Sequence, residues 1–261
     1  MMRASKVVVA LVGAVAIASA AGGESTDEAL QWLGRMADVY GGEPFTYGYD
    51  VHTSITDMGQ TASLEIQGRS TQADRTRFRI EATMEMTMPG VESPVKIRLL
   101  GVSDGEVMWV ETDDPTSGSQ VIRMPLEKLE QIADANPWAR NFTRMDPVGQ
   151  VEELARLFDF AVVASSQETV TLRAVMTGGG LEVAGEVLTG TDPEALTELV
   201  LVIDAGTGFP KEMRVGNDPP AMVMRFTDPE WLGEVDDVLF VYTPPEGAAL
   251  TDLGALVDET P

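Results

Sequence analysis

Apolar residues recur every three or four positions in the segment that follows Thr26, which is the spacing of one face of a helix. The apolar stripe consists of Leu30, Leu33, Met36 or Ala37, and Tyr40. Thr26 or Asp27 can act as the N-cap, and Gly41-Gly42 is a typical helix end. The pattern therefore predicts one amphipathic helix before the first strand.

From residue 45 the period changes to two. Segments 45–55, 62–68, 77–88 and 95–99 alternate apolar and polar side chains. In 77–88, where the alternation is clearest, the apolar positions are Phe78, Ile80, Ala82, Met84, Met86 and Met88. Such alternation is typical of strands with one buried face and one solvated face, as in antiparallel sheets. Four such strands joined by short turns predict a meander.

The meander continues into a helical interruption. Asp104-Gly105 is a hairpin signal between the fourth strand and a fifth over 107–110, and a sixth strand is predicted near 120–124. Helical spacing over 125–135, and again from Asp146-Pro147 to Phe158, predicts two helices.

Alternating segments return after the two helices. They are 170–176, 181–187, 199–204, 209–215, 221–226 and 238–242. The sequence shows neither an internal repeat nor a domain linker. We therefore expect a single domain over 22–247, with 248–261 as a C-terminal tail.

The first 21 residues have the pattern of a cleavable signal peptide. Arg3 and Lys6 precede an apolar run over 7–18, and Ala18-Ser19-Ala20 is the small-x-small pattern of a cleavage site. The run is about a dozen residues long, whereas a membrane-spanning helix needs roughly 20. An uncleaved anchor is the alternative. The chain has no cysteine, so we expect an exported protein without a lipid anchor.

The charge balance limits the partners. The chain carries 42 acidic and 18 basic residues, a formal net charge of −24. A field of this sign repels nucleic acids and anionic lipid headgroups. We expect a soluble monomer that does not span a membrane and binds no nucleic acid.

The residue types of common active sites are scarce. There is no cysteine nucleophile, and the one histidine, His52, lies on the polar face of a predicted strand. A solvated side chain is the favoured interpretation, and a catalytic or metal role is the alternative. The acidic group Glu111, Asp113 and Asp114 is interpreted as a solvated turn rather than a calcium loop. We predict no catalytic residue, metal or cofactor; an enzyme on the same fold is the least favoured class.

Three motifs, in this order, resemble the periplasmic outer-membrane lipoprotein carrier family, the LolA-like proteins. Residues 102–109, V-S-D-G-E-V-M-W, are similar to the family's hairpin that precedes a tryptophan strand. Residues 201–204 followed by Gly208-Phe209-Pro210 are similar to its strand-turn-strand. Residues 239–247, L-F-V-Y-T-P-P-E-G, are similar to its Pro-Pro-x-Gly ending. The chain resembles a divergent member with extra material near 177–198.

The resemblance implies a mainly β fold with a few helices. This is a half-open, strongly curved antiparallel β-barrel of about 11 strands, with helices covering its concave apolar side. It implies a periplasmic carrier or chaperone that binds the acyl chains of lipoproteins, or another lipid, and shuttles them toward the outer membrane. The implied partners are an inner-membrane lipoprotein-releasing transporter and an outer-membrane receptor. A non-enzymatic envelope-stress sensor of the same fold is the alternative.

The resemblance also places a lipid-binding cavity. We expect its wall and lid to contain Phe78, Ile80, Met84, Met86, Ile97, Leu99, Trp109, Leu129, Ile132, Leu154, Phe158, Met222 and Met224. Methionine is flexible and polarisable, which suits a surface that repacks around variable chains; an ordinary core is the alternative. In the family an arginine ties the sheet to its helical lid. Arg75 is the candidate for that role, while Arg77 and Arg79 are expected to be solvated.

Overall fold

The computed structural model describes residues 26–57, 60–91, 93–115, 118–129, 131–132, 155, 158–176, 198–216 and 220–258. The predicted signal peptide, most of the predicted helix from Asp146 to Phe158 and the predicted strand at 181–187 lie outside these ranges. The extra segment near 177–198 does so as well, except for its last residue.

Twelve strands form one sheet in this part of the chain. They are β1 (Phe45–Asp57), β2 (Gln60–Gln72), β3 (Arg77–Thr87), β4 (Val95–Asp104), β5 (Val107–Asp114), β6 (Gly118–Pro125), β7 (Phe158–Ser165), β8 (Thr169–Met176), β9 (Glu198–Asp204), β10 (Pro210–Val215), β11 (Met222–Trp231) and β12 (Ala249–Asp252). Their order is β12-β6-β5-β4-β3-β2-β1-β11-β10-β9-β8-β7. All pairs are antiparallel except β12 with β6. The sheet is curved and open, which confirms the predicted half-open fold.

The register aligns the apolar positions of neighbouring strands. Val51 lies opposite Ile66, Ile66 opposite Met84, and Met84 opposite Ile97. Because directly opposed residues of antiparallel strands project to the same side, these four form one apolar row across β1 to β4. We call this side the inner face. It carries the main buried cluster of the molecule.

Helix α1 (Asp27–Gly41) packs on the inner face. The Thr26 hydroxyl caps it by accepting from the Ala29 amide at 3.2 Å. Its buried residues are Ala29, Leu33, Met36 and Tyr40. The predicted stripe is therefore shifted at its start, because Leu30 is 42% exposed and Ala29 takes the inward position.

The predicted strand at 238–242 is wrong. Residues Asp237–Phe240 form a 3₁₀ helix, and the Asp236 carboxylate caps it by accepting from the Val238 amide at 3.0 Å. The Leu239 amide donates to the Asp236 carbonyl, so the local turn satisfies backbone groups that a strand would have paired with a neighbour. We call residues 232–248 the strap. Its 3₁₀ helix contacts β3 and β4.

Two further segments differ from the prediction. Phe158, expected in a helix, begins β7, because Phe158 and Phe160 lie opposite Met176 and Ala174 of β8 and are buried there. Residues predicted as a tail form β12, which pairs with β6, and the short helix α2 (Leu253–Asp258). In the predicted helix 125–135, a 3₁₀ helix spans Leu126–Lys128.

Candidate functional site

The inner face collects nearly all of the predicted cavity residues. Phe78, Met84, Met86, Ile97, Leu99, Ile132, Phe158 and Met222 are buried in its main cluster, and Ile80, Leu129 and Met224 are partly buried against it. The sheet brings them together because β3, β4 and β11 present alternate residues to one side. Leu154 lies outside the described residues.

Trp109 does not lie with them. Its neighbours Met108 and Val110 belong to the inner cluster, so alternation directs Trp109 to the opposite, outer face. There its ring lies 5.4 Å from the ring of Tyr242, and the Arg123 guanidinium lies 5.8 Å from its centroid. The predicted position of Trp109 on the concave wall is therefore wrong, because the strap offers the indole a cover on the outer side.

Methionine is concentrated on the inner face. All ten methionines in the described ranges belong to the main cluster or pack against it: Met36, Met84, Met86, Met88, Met108, Met124, Met176, Met213, Met222 and Met224. Unbranched thioether side chains adapt their shape more readily than leucine or isoleucine. The inner face is therefore rich in side chains of adaptable shape.

An aromatic group joins α1 to the sheet. Tyr40 of α1 lies 5.7 Å from Phe45 and 6.5 Å from Tyr47, measured between ring centroids. Tyr47 in turn lies 6.3 Å from Tyr49 and 5.6 Å from Phe209. The alternation of β1 predicted that Phe45, Tyr47 and Tyr49 share a face, but the pattern of that strand alone did not place them beside α1 and the β9–β10 turn.

Tyr49 lies directly over Gly68 of β2. A Cβ atom at Gly68 would lie 2.5 Å from the Tyr49 hydroxyl oxygen and 2.7 Å from the Glu81 carbonyl. Gly68 also opposes Ala82 of β3, so the ring rests on a small-residue depression in the inner face. Burial raises the pKa of Tyr49, and the nearby Tyr47 hydroxyl adds to the effect.

Charged groups are kept away from this surface. Apart from tyrosines, Asp114 at the end of β5 is the one ionisable residue among the inward-facing strand residues whose side chains the structure describes. The polar inward residues near the aromatic group are Ser70 and Gln72. The Gln72 amide donates to the carbonyls of Tyr40 and Asp74 at 3.3 and 3.0 Å. The inner face is therefore apolar with uncharged polar groups at one end.

The helix is tied to the sheet by Arg35. Its guanidinium donates to the carbonyls of Ala205 and Gly206, both at 3.3 Å, and it stacks on Trp32 at 4.3 Å. The sequence carries no local signal of this contact, because it joins residues 170 positions apart. Arg75, the predicted tether, lies exposed in the turn between β2 and β3.

Polar side chains of the outer face bond to the strap. Arg77 donates to Asp74 at 2.6 Å and to Asp237 at 2.7 Å, and Arg79 donates to the Leu239 carbonyl at 3.3 Å. The expectation that Arg77 and Arg79 are merely solvated is wrong, because the strap supplies acceptors above them.

A polar groove of about 440 Å³ runs beside the strap. Charged side chains of both signs line it, including Arg69, Arg98, Glu81 and Glu111. Opposite charges pair across it, as between Arg98 and Asp113. The groove therefore differs in character from the apolar inner face.

The residues considered for metal or catalytic chemistry have other contacts. His52 is exposed and lies 3.8 Å from Glu65. Glu111 accepts from the Tyr242 hydroxyl at 2.8 Å, and Asp113 pairs with Arg98. Glu111 and Asp113 lie on β5 rather than in a loop. Across the described ranges, no group of three His, Cys, Asp or Glu residues is arranged to hold a metal ion. No helix in that part of the chain is long and apolar enough to cross a membrane.

Similarity to known proteins is found in structure. No protein-family model and no curated protein matches the chain. An uncharacterized conserved protein from Thermus thermophilus matches with 10% identity over 87% of this chain and 99% of that chain, at a TM-score of 0.45. A chain of the MucA/MucB complex of Pseudomonas aeruginosa matches with 16% identity. The match covers 82% of this chain and 61% of that chain, at a TM-score of 0.36.

A LolA superfamily protein from Nitrosomonas europaea matches with 13% identity, over 82% of this chain and 97% of that chain, at a TM-score of 0.30. All three TM-scores lie below 0.5. The chain is similar in structure to LolA superfamily proteins, the family that its motifs resemble.

Proposed function

We propose that this protein is a carrier that binds the acyl chains of lipoproteins, or of another lipid, against the inner face and shuttles them toward the outer membrane. The supporting observation is that all ten described methionines face one continuous apolar surface. The predicted signal peptide and the acidic charge support a soluble carrier in the periplasm.

The physical need for such a carrier is large. Burial of an acyl chain is worth about 0.8 kcal/mol for each methylene group, so a lipidated protein does not cross water unaided. A carrier has to shield the chain and still release it. Methionines allow this because they follow the shape of a guest without a directional bond that has to be broken on release.

The direct test is the mass of the protein purified from its own periplasm. Native mass spectrometry should show a co-purifying lipid, and the delipidated protein should take up a neutral fluorescent probe such as N-phenyl-1-naphthylamine. Protein that carries no lipid and takes up no probe would overturn the proposal.

A matched pair of variants locates the binding surface. Ala82 lies on the inner face between Gly68 and Leu99, whereas its neighbour Thr83 is directed to the outer face. Ala82→Phe should reduce probe uptake because it adds a bulky ring to the inner face, while Thr83→Phe should leave uptake unchanged. Thermal unfolding of both variants separates lost binding from lost folding. Equal uptake by two folded variants would count against the inner face.

Transport is tested separately from binding. Inner-membrane vesicles that hold an acylated lipoprotein should release it into a soluble complex when the protein is added with the releasing transporter and ATP. Binding of the probe without any such release would contradict the carrier role and leave a lipid-binding protein of another purpose.

A further inference from the structure

The inner face contains a row of three phenols at its otherwise apolar surface. Tyr40, Tyr47 and Tyr49 follow one another, with ring centroids 6.5 and 6.3 Å apart. Buried phenols usually find a hydrogen-bond partner, because an unpaired polar group out of water costs free energy. The partners of the three hydroxyl groups therefore show whether any of these donors is left without a hydrogen bond.

Two of the three hydroxyls are without a partner in the described part of the chain. The Ser70 side chain lies near the Tyr47 hydroxyl and lowers its pKa against the larger, opposite effect of burial. The contacts of the Tyr40 and Tyr49 side chains there are with other aromatic rings and with Gly68. The hydrogen bond that Gln72 makes to Tyr40 goes to its backbone carbonyl, not to its phenol. The buried Tyr40 and the partly buried Tyr49 are therefore left as donors for a guest.

The protonation of these groups defines what they can bind. Burial raises the pKa of Tyr40, Tyr47 and Tyr49, so each remains a neutral O–H donor at physiological pH. A neutral donor stabilises a carbonyl or ether oxygen. It does not neutralise an ion, and the nearest inward residues, Ser70 and Gln72, are uncharged as well.

An ionised ligand group has no counter-charge here. The arginines of β2, β3 and β4 that line the outer groove, Arg69, Arg79 and Arg98, lie on the opposite side of the sheet from Tyr49. Arg35 of α1 is occupied by the carbonyls of Ala205 and Gly206. Moving an unpaired carboxylate into an apolar site costs far more than one hydrogen bond returns.

We infer that the tyrosine row is the polar recognition point of the acyl-binding face, and that it takes lipids whose head is an uncharged ester carbonyl rather than ionised fatty acids. This inference rests on the proposed function, since it assigns the ligand class of the same face. The ester group accepts from Tyr49 and Tyr40, and the acyl chain packs against the methionines of the inner face, among them Met84 and Met86.

The test uses three ligands and two hydroxyl deletions. The delipidated full chain is titrated with N-phenyl-1-naphthylamine, methyl dodecanoate and dodecanoate at neutral pH, the last two by displacement of the first. Tyr49→Phe and Tyr40→Phe keep the rings and remove the donors. Tyr242→Phe is the matched control, because Tyr242 lies on the outer face against Trp109 and Glu111.

The expected result is a selective loss. Each inner variant should bind methyl dodecanoate about three- to tenfold more weakly, which corresponds to the loss of one neutral hydrogen bond. Its affinity for the hydrocarbon-like probe should not change. Dodecanoate should bind the wild type at least about tenfold more weakly than the ester, and Tyr242→Phe should change nothing.

Two failures are distinguishable. If the wild type binds the probe but shows no preference for the ester, or the inner variants lose no ester affinity, the recognition point is wrong and the carrier remains. If the wild type binds none of the three ligands, the proposed function itself is overturned.

Discussion

The two faces of the sheet are built on different principles. The inner face is held by apolar contact, with the buried cluster running from α1 across the strands. The outer face is held by directional bonds, such as Arg77 to Asp237 and Tyr242 to Glu111, and by the buried ring of Phe240 in the strap. The main contacts are therefore nondirectional on the inner face and directional on the outer face.

This difference has a consequence for binding. Under the proposed function, a guest on the inner face would replace apolar contacts with other apolar contacts, which have no preferred direction. The strap and the ion pairs on the opposite side would keep their partners in that exchange, because those partners lie on the outer side. Substitutions on the two faces measure this division.

The largest effect should come from a charge placed on the inner face. Met84 is 2% exposed, and its neighbour Thr83 faces outward. Met84→Glu buries a carboxylate without a partner and should lower the free energy of unfolding by about 4 kcal/mol or more. Thr83→Glu should change it by less than about 0.5 kcal/mol. Urea denaturation measures both, and similar values would erase the distinction between the faces.

The next effect concerns the anchor of the strap. Phe240 is 2% exposed, whereas Val238 in the same 3₁₀ helix is 63% exposed. Phe240→Ala should cost about 3 kcal/mol through the cavity it leaves, and Val238→Ala should be nearly neutral. If the faces act independently, probe uptake by folded Phe240→Ala protein equals that of the wild type. A parallel loss of uptake would show that the strap shapes the inner face.

Two glycine substitutions sharpen the account of the inner depression. Gly68→Ala brings a methyl group against Tyr49 and the Glu81 carbonyl, and overpacking of this kind should cost about 2 kcal/mol. Gly34 in α1 has open space where a Cβ would be. Gly34→Ala should therefore stabilise the protein by about 0.5 to 1 kcal/mol. Thermal unfolding of the pair gives the two signs, and a stabilising Gly68→Ala would remove the close approach of Tyr49.

Much of the inner face was predictable because period two is a local signal. Phe78, Met84 and Met86 are on the face that their alternation indicated. Trp109 was not predictable in this way, since Met108, Trp109 and Val110 are consecutive apolar residues and alternation cannot decide which of them points inward. The strap decides it, by covering the outer side of β5 with Tyr242.

Other features depend on pairing between distant segments. Tyr49 and Gly68 meet because β1 and β2 pair in a particular register, and Arg35 reaches the β9–β10 turn from α1. Phe158 has both a helical and an alternating context in the sequence. Its ladder with Met176, more than a dozen residues away, settles the choice. Such contacts carry no local pattern.

A small, pH-dependent effect tests how α1 is held on the inner side. Asp204 ends β9, and its carboxylate accepts from the amides of Gly206 and Thr207 and pairs with Lys211 at 2.9 Å. The Lys211 ammonium, followed by the Thr207 amide, lowers the pKa of Asp204 to about 2. These bonds shape the turn whose carbonyls receive Arg35.

The sign of the pH dependence follows from that shift. Because the folded-state pKa of Asp204 is lowered, the carboxylate stabilises the fold above its unfolded pKa of about 4, and this contribution is lost as pH falls toward 2. Asp204→Asn should cost about 1 kcal/mol at pH 7, as for a largely solvent-screened group, and the difference from the wild type should vanish near pH 2. Unfolding measured across that pH range tests this. A constant difference throughout would mean that the carboxylate charge does not hold the turn beneath α1, and that the apolar contacts of the inner face alone keep the helix in place.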